Sequence, residues 1–290
     1  MRAPHAPRNR RATRVTWRPL ALAGSAALLA ALTVQAPADA TPTAPPTSPQ
    51  APAQAQAQAA PNDDEYYKDA IGKTGPELKT ALHGIIKEGD QLSYDQVWDA
   101  LKVTDQDPAN SANVVLLYSG RSQSKDDNGG DADQWNREHV WAKSHGDFGT
   151  GTGPGTDVHH LRPTDVSVNS TRGSKDFDEG GEEVGEAPGN FTDDDSWEPR
   201  DEVKGDVARM VLYMAVRYEG DDSFPDLEPN NKVDNGSAPA MGRLSVMKKW
   251  NEQDPPSDFE KNRNQVIFDK FQHNRNPFID HPEWVDDIWS

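Results

Sequence analysis

Three short motifs bring a base, hard oxygen ligands and cations together within forty residues: Asn136-Arg137-Glu138-His139-Val140-Trp141, Asp157-Val158-His159-His160-Leu161-Arg162-Pro163 and Val168-Asn169-Ser170-Thr171-Arg172-Gly173. His139 is the candidate general base, because imidazole titrates close to neutrality and accepts a proton from water without a large shift. A lone histidine carries little weight, but four of the eight (His139, His145, His159, His160) lie within twenty-two residues. Such clustering implies a site. Glu138 and Asn169 offer hard oxygens to a magnesium-like ion, which keeps several waters and needs only one or two protein ligands beside substrate phosphate. Arg172 follows Asn169 by three residues, shares a helix face with it and suits a phosphate oxygen. The inventory fits metal-assisted hydrolysis of a phosphodiester.

Two other chemistries compete with this one. A zinc hydrolase could draw on His139, His145, His159 and His160 with Asp157, but neighbouring His159 and His160 cannot both point inward from a strand. A non-catalytic calcium-binding module could use the acidic, Gly/Asp-rich middle of the chain, yet no full EF-hand loop or nonapeptide repeat is present. The same alternation constrains the preferred site: Glu138 and His139 share it only if the strand bends or bulges there, or if the ion sits at the strand edge.

The elements that must position these residues read as mixed α and β. A strand is expected over about 137–141, a Gly/Thr-rich loop over 146–156, a second strand over 158–162 and a short helix over 165–172. Ahead of them, Leu78, Ala81, Leu82, Ile85 and Ile86 recur at helical spacing behind Pro76. A second helix opens at Ser93 with a Ser-x-x-Gln capping pattern, and Val114–Tyr118 reads as a buried strand. Downstream, Val203, Val207, Met210, Val211, Met214 and Tyr218 trace an amphipathic helix that should pack under the site. Another helix covers about 259–272 and is ended by Asn276-Pro277. Pro277 and Pro282 make His281 a structural residue.

Residues 1–40 have an Arg-rich start, a short Leu/Ala stretch and a closing Ala38-Asp39-Ala40, the pattern of a cleavable export signal. Residues 41–62, rich in Pro, Ala and Gln, predict a disordered linker, so a single domain is expected over 63–290. A secreted monomer without stable membrane association follows. The sequence contains no cysteine, which excludes thiol nucleophiles and Cys-based zinc sites; a domain of this size can bury enough apolar surface without disulfides. The formal net charge is −18, and residues 176–202 hold twelve carboxylates against the single cation Arg200. That run reads as a solvated surface loop, with a calcium-binding loop as the sharper alternative. Such charge weakens steering of nucleic acid unless the cations gather on one face.

The three motifs resemble those of the bacterial endonuclease I family. The likeness extends through Leu-Tyr-Ser-Gly-Arg-Ser at 117–122, Tyr-Met-Ala-Val-Arg-Tyr at 213–218 and Asn-Arg-Asn-Pro-Phe-Ile-Asp-His-Pro-Glu at 274–283, so it covers most of the chain after residue 64. The resemblance implies an α+β fold, a mainly helical domain around a ββα-metal (His-Me finger) motif. It makes His139 the general base and places the metal on Glu138 and Asn169, with Mg²⁺ expected and Ca²⁺ or Mn²⁺ as alternatives. Asp157, His159, Arg162 and Arg172 also lie in family motifs, as groups that either touch substrate or orient those that do. DNA and RNA would be cut with little sequence preference, leaving 5′-phosphate and 3′-hydroxyl ends.

Overall fold

Capping chemistry and apolar spacing set the helices of this chain. In the computed structural model, which describes residues 63–290, the helices are α1 (Asp63–Tyr66), α2 (Gly75–Ile86), α3 (Tyr94–Thr104), α4 (Val166–Arg172), α5 (Lys204–Arg217), α6 (Leu244–Gln253), α7 (Asp258–Lys270), α8 (Pro277–Asp280) and α9 (Trp284–Ile288). The expected export signal over 1–40 and linker over 41–62 lie outside the described residues. Ser93 caps α3 by the reciprocal Ser-x-x-Gln box, its hydroxyl accepting from Gln96 N and the Gln96 side chain accepting from Ser93 N. Ser257 and Glu260 do the same for α7. Leu78, Leu82 and Ile86 bury one face of α2.

The strands are short: β1 (Gln106–Asp107), β2 (Asn110–Val115), β3 (Ser122–Ser124), β4 (Trp135–His139), β5 (Leu161–Asp165), β6 (Asp176–Phe177), β7 (Glu182–Glu183), β8 (Phe191–Thr192), β9 (Ser196–Glu198), β10 (Glu228–Pro229) and β11 (Ala240–Met241). They form sheets in the orders β1-β2-β3, β4-β5, β6-β9-β8-β7 and β10-β11. Helix and strand are therefore mixed, as an α+β chain requires. No helix among the described residues is long and apolar enough to cross a membrane.

Several elements differ from their sequence reading, each for a local reason. The strand read over Val114–Tyr118 is β2, ending at Val115, because Gly120 (φ 67°) turns the chain back to lay β3 on it. The second site strand starts at Leu161 rather than 158, since Asp157 Oδ1 accepts from His159 N and holds 157–160 in a turn. Asn276-Pro277 opens α8, as its N-cap and first residue, rather than ending the helix before it. The acidic run is no simple loop: it folds into the β6-β9-β8-β7 sheet, exposing Glu182 and Glu183 while burying Asp176 and Trp197. Finally, α5 is buried on all sides rather than on one stripe. It reaches the site region through Asp206, paired with Arg162, and Tyr213, bonded to Asp157.

Two apolar clusters flank the site. One gathers α3, β2 and Trp135 with Val158, Leu161 and Ile267; the other surrounds α5 and includes Val140, Trp141, Trp197 and Trp250. Because Trp135 belongs to the first cluster and Val140 and Trp141 to the second, β4 is anchored at both ends. The four residues between them, 136–139, are held without having to form the core themselves.

Candidate active site

The strand β4 pairs with β5 in unbroken antiparallel register from Trp135↔Asp165 to His139↔Leu161. No bulge interrupts it, and the sheet has only these two strands. Asn136, Arg137, Glu138 and His139, which alternate between the faces of β4, all line one cleft of about 490 Å³. The cleft therefore follows the unpaired edge of the strand, which is how neighbouring Glu138 and His139 come to share it. The helix α4 packs on both strands and contributes Asn169 and Arg172 to the same cleft.

His139 is 6 % exposed, and its Nε2 lies 3.1 Å from Gly155 O. That carbonyl takes the Nε2 proton, so Nδ1 is the acceptor nitrogen. Gly155 can stand there only as glycine: a Cβ would come 2.7 Å from Gly149 O and 2.8 Å from Gly151 O. Burial, followed by the neighbouring His160 ring, pushes the His139 pKa well below the ordinary imidazole value. The ring is neutral at neutral pH and can accept a proton.

Glu138 is 2 % exposed, with burial raising its pKa against the opposing pull of Arg172 and Tyr118. Tyr118 Oη donates to Glu138 Oε1 at 2.8 Å, and Arg172 Nη1 stands 3.3 Å from the same oxygen. Both contacts fall on Oε1, which leaves Oε2 for another partner. Asn169 Nδ2 donates to Asn136 Oδ1 at 2.7 Å, so its own Oδ1 is likewise left as an acceptor. A carboxylate oxygen and an amide oxygen on one cleft form a donor set that fits a hard divalent cation.

Arg172 is buried and spends its guanidinium on the backbone, donating to His139 O at 3.1 Å and Val140 O at 2.7 Å. Its first task is to lock α4 against the end of β4, and it meets Glu138 from there. His159 and Arg162, expected among the catalytic groups, do not line the cleft. His159 Nε2 stands 3.2 Å from Asn274 O, while Arg162 is 2 % exposed and lies 2.5 Å from Asp105 and 3.3 Å from Asp206. Asp157 accepts from Tyr213, Tyr218, Gln272 and His159 N, a full complement for a carboxylate. The histidines do not converge either: His145 faces Ala240 O and His160 faces Pro154 O, each a separate carbonyl. Among the described residues no group of three or more His, Asp or Glu is set to hold a metal, which removes the zinc-hydrolase arrangement.

Sequence reasoning missed Tyr118, Asn136, Lys143 and Tyr94. Asn136 sits in the quoted motif beside Arg137, and Tyr118 lies in the Leu-Tyr-Ser-Gly stretch; both were available as motif members without a role. Lys143 is exposed, lines the cleft and acts electrostatically on both Glu138 and His139. Tyr94 reaches the cleft from the start of α3.

Known proteins resemble this chain over most of the described residues. The endonuclease I family model matches residues 74–283. The chain is 66 % identical over 226 residues to an extracellular ribonuclease of Bacillus amyloliquefaciens, covering 78 % of each chain. It is 65 % identical over 233 residues to an extracellular ribonuclease of Bacillus subtilis (strain 168), covering 80 % of this chain and 81 % of that one.

Proposed function

The chain belongs to the endonuclease I family and is a nuclease; from that premise we propose that it is a secreted, divalent-metal-dependent endonuclease that hydrolyses RNA and DNA without strong sequence preference. The observation that carries this reading is the placement of Glu138 and His139 on β4 and of Asn169 on α4 around one cleft, with His139 held neutral. In it, β4, the 140–160 loop, β5 and α4 serve as a ββα-metal unit. The relatives named extracellular ribonucleases support export and put RNA first among substrates.

Glu138 Oε2 and Asn169 Oδ1 would hold the ion, magnesium by preference, with calcium or manganese as alternatives. Bound there, a divalent cation supplies charge stabilisation to the phosphate and to the leaving oxygen. His139 Nδ1 takes a proton from the attacking water, while Gly155 O keeps the ring in the tautomer that leaves Nδ1 basic. Arg172 and Tyr118 fix Glu138 through Oε1. Arg137 and Lys143 bring cationic groups to the cleft for phosphate oxygens, and the described residues show no ion pair that neutralises either. Attack in line with the 3′ oxygen leaves 5′-phosphate and 3′-hydroxyl ends. The motifs supply phosphate chemistry and no identifiable base-reading module, in keeping with weak sequence preference.

The deciding experiment incubates the purified protein with plasmid DNA and with RNA, in magnesium and in excess chelator. Cleavage is expected with magnesium and is expected to stop with chelator. Intact substrates under every metal condition would remove this function.

A further inference from the structure

Gly155 O sets which nitrogen of His139 is basic, so whatever holds Gly155 also holds the base in its working form. Gly155 belongs to a loop that leaves β4 after His139 and returns to β5, with five glycines between 146 and 155. Such a segment has much conformational freedom to lose and keeps one shape only if it is tied. The same loop supplies Lys143, Ser144, Asp147 and Gly149 to the wall of the cleft.

His160 provides a tie, although it does not line the cleft. Its ring is fully buried, Nδ1 accepts from Trp141 N at 3.3 Å, and Nε2 lies 2.7 Å from Pro154 O. Because Nδ1 accepts, Nε2 carries the proton and donates. Burial pushes the pKa of the ring down to about 4, so this arrangement is not lost to protonation at neutral pH. One imidazole thus joins the residue two places after the base to the residue one place before the carbonyl that meets the base. Pro154 has no N–H, so its carbonyl is the only backbone hydrogen-bonding group by which it can be held. The backbone of His160 adds to the closure, its O accepting from Val140 N at 3.2 Å. Phe148, from the middle of the loop, meets the same ring at 78° and 6.4 Å between centres. A side chain that only filled space here would be apolar, as the buried Val158 and Leu161 on either side of the His-His pair are. Two polar atoms of one ring, each on a backbone group at a different end of one loop, make a clamp.

We propose that His160 is a positioning residue for the general base: it closes the glycine-rich loop between Trp141 and Pro154 and thereby keeps the Gly155 carbonyl on His139 Nε2. This role rests on the nuclease reading of the cleft and adds to it a residue that acts on the base through the loop.

Long-range ¹H–¹⁵N NMR of the metal-free protein at neutral pH reads the tautomer of each ring, the His139 signals being those lost in His139→Ala. In the parent, His139 and His160 should each carry the proton on Nε2. A proton on Nδ1 of either ring overturns the proposal, and this result needs no variant at position 160 to fold. Two variants then separate the clamp from packing, since both remove the ring. His160→Asn offers an acceptor in the place of Nδ1 but is too short to reach Pro154, whereas His160→Gln puts a donor in the place of Nε2. In His160→Asn the two His139 nitrogen shifts should draw together as the ring averages between tautomers, and kcat on RNA with magnesium should fall about 10–10²-fold. In His160→Gln the shifts should stay as in the parent and kcat should fall less. Equal losses in the two variants, or parent-like His139 shifts in His160→Asn, overturn the proposal. Loss of folding in either variant also overturns it, because the ring would then be a packing residue. A parent protein that cuts neither RNA nor DNA in magnesium removes the nuclease reading instead, a result separate from the tautomers, which are read without any cleavage.

Discussion

In the proposed reaction, a base buried beside a charged substrate must stay unprotonated without losing its hold on a proton in transit. Burial and the His160 ring keep His139 neutral, and the Gly155 carbonyl fixes which nitrogen is basic. His139→Ala should therefore lower turnover by about 10²–10⁴ with the fold intact, as checked by circular dichroism beside the rate. Equal activity in the variant would assign the proton to a different group. Tyr118→Phe removes one of two contacts on Glu138 Oε1, so the carboxylate loses orientation rather than charge. The magnesium concentration for half-maximal rate should rise about tenfold, with the rate recovering at saturation. An unmoved magnesium curve would mean that Tyr118 serves packing alone. That His139, Glu138 and Asn169 would share one cleft was legible because residue type alone restricts what an imidazole, a carboxylate and an amide in neighbouring motifs can do. Tyr118 was not, since an aromatic at the end of an apolar run reads as core until its hydroxyl is seen to meet a buried carboxylate twenty residues away.

Among the elements, β5 shows how a motif residue can matter without lining the cleft. Arg162 stands opposite Glu138 in the ladder, yet its guanidinium is taken up by Asp105 from the end of α3 and Asp206 from α5. Arg263 of α7 shares Asp105 and donates to Val158 O and Leu161 O, while Arg209 of α5 is bidentate on Glu260. The result is a buried chain of charges that ties β5 to three helices. Removing one member leaves a carboxylate short of its partner in a low-dielectric interior. Arg162→Met should thus cost about 3–5 kcal/mol in urea unfolding, while the folded fraction cuts nucleic acid within a few-fold of the parent rate. Undiminished stability with cleavage lost by orders of magnitude would instead place Arg162 on the substrate. The helices α2, α3 and α7 were readable from caps and spacing, which are local. The start of β5 and the end of β2 were not, because a side-chain turn at Asp157 and a glycine turn at Gly120 interrupt apolar runs that continue in sequence.

At the scale of the whole molecule, the net charge of −18 is resolved by distribution rather than by sum. Arg137, Lys143 and Arg172 line the cleft beside Glu138 and Asp147, so the site is close to neutral, whereas the exposed carboxylates Glu182 and Glu183 belong to the separate β6-β9-β8-β7 sheet. Composition could give the total but not that segregation, which exists only once distant segments are folded. The histidine cluster has a similar global consequence. Burial pushes His159 and His160 down to about 4, against an ordinary 6.5, while Asp157, close to both, pulls the other way and Arg263 adds to the lowering. Asp157 itself is pushed up by burial, but the two histidines and its hydrogen bonds hold it below the usual carboxylate value, so its contribution is lost only in stronger acid. Below about pH 6.5 the unfolded chain binds a proton on each of the two rings, and the folded chain does so only near pH 4. The stability they allow is complete above pH 6.5 and falls as the pH drops, by about 3 kcal/mol per ring once pH 4 is reached. His160→Gln keeps a donor for the Pro154 carbonyl but removes one titrating ring. Urea unfolding of parent and variant at pH 7.5 and pH 4.5 should show a pH-dependent loss smaller in the variant by about 2–3 kcal/mol, even if the variant is less stable at both. The same loss in both proteins would mean that acid acts on the fold elsewhere than at this buried pair of rings.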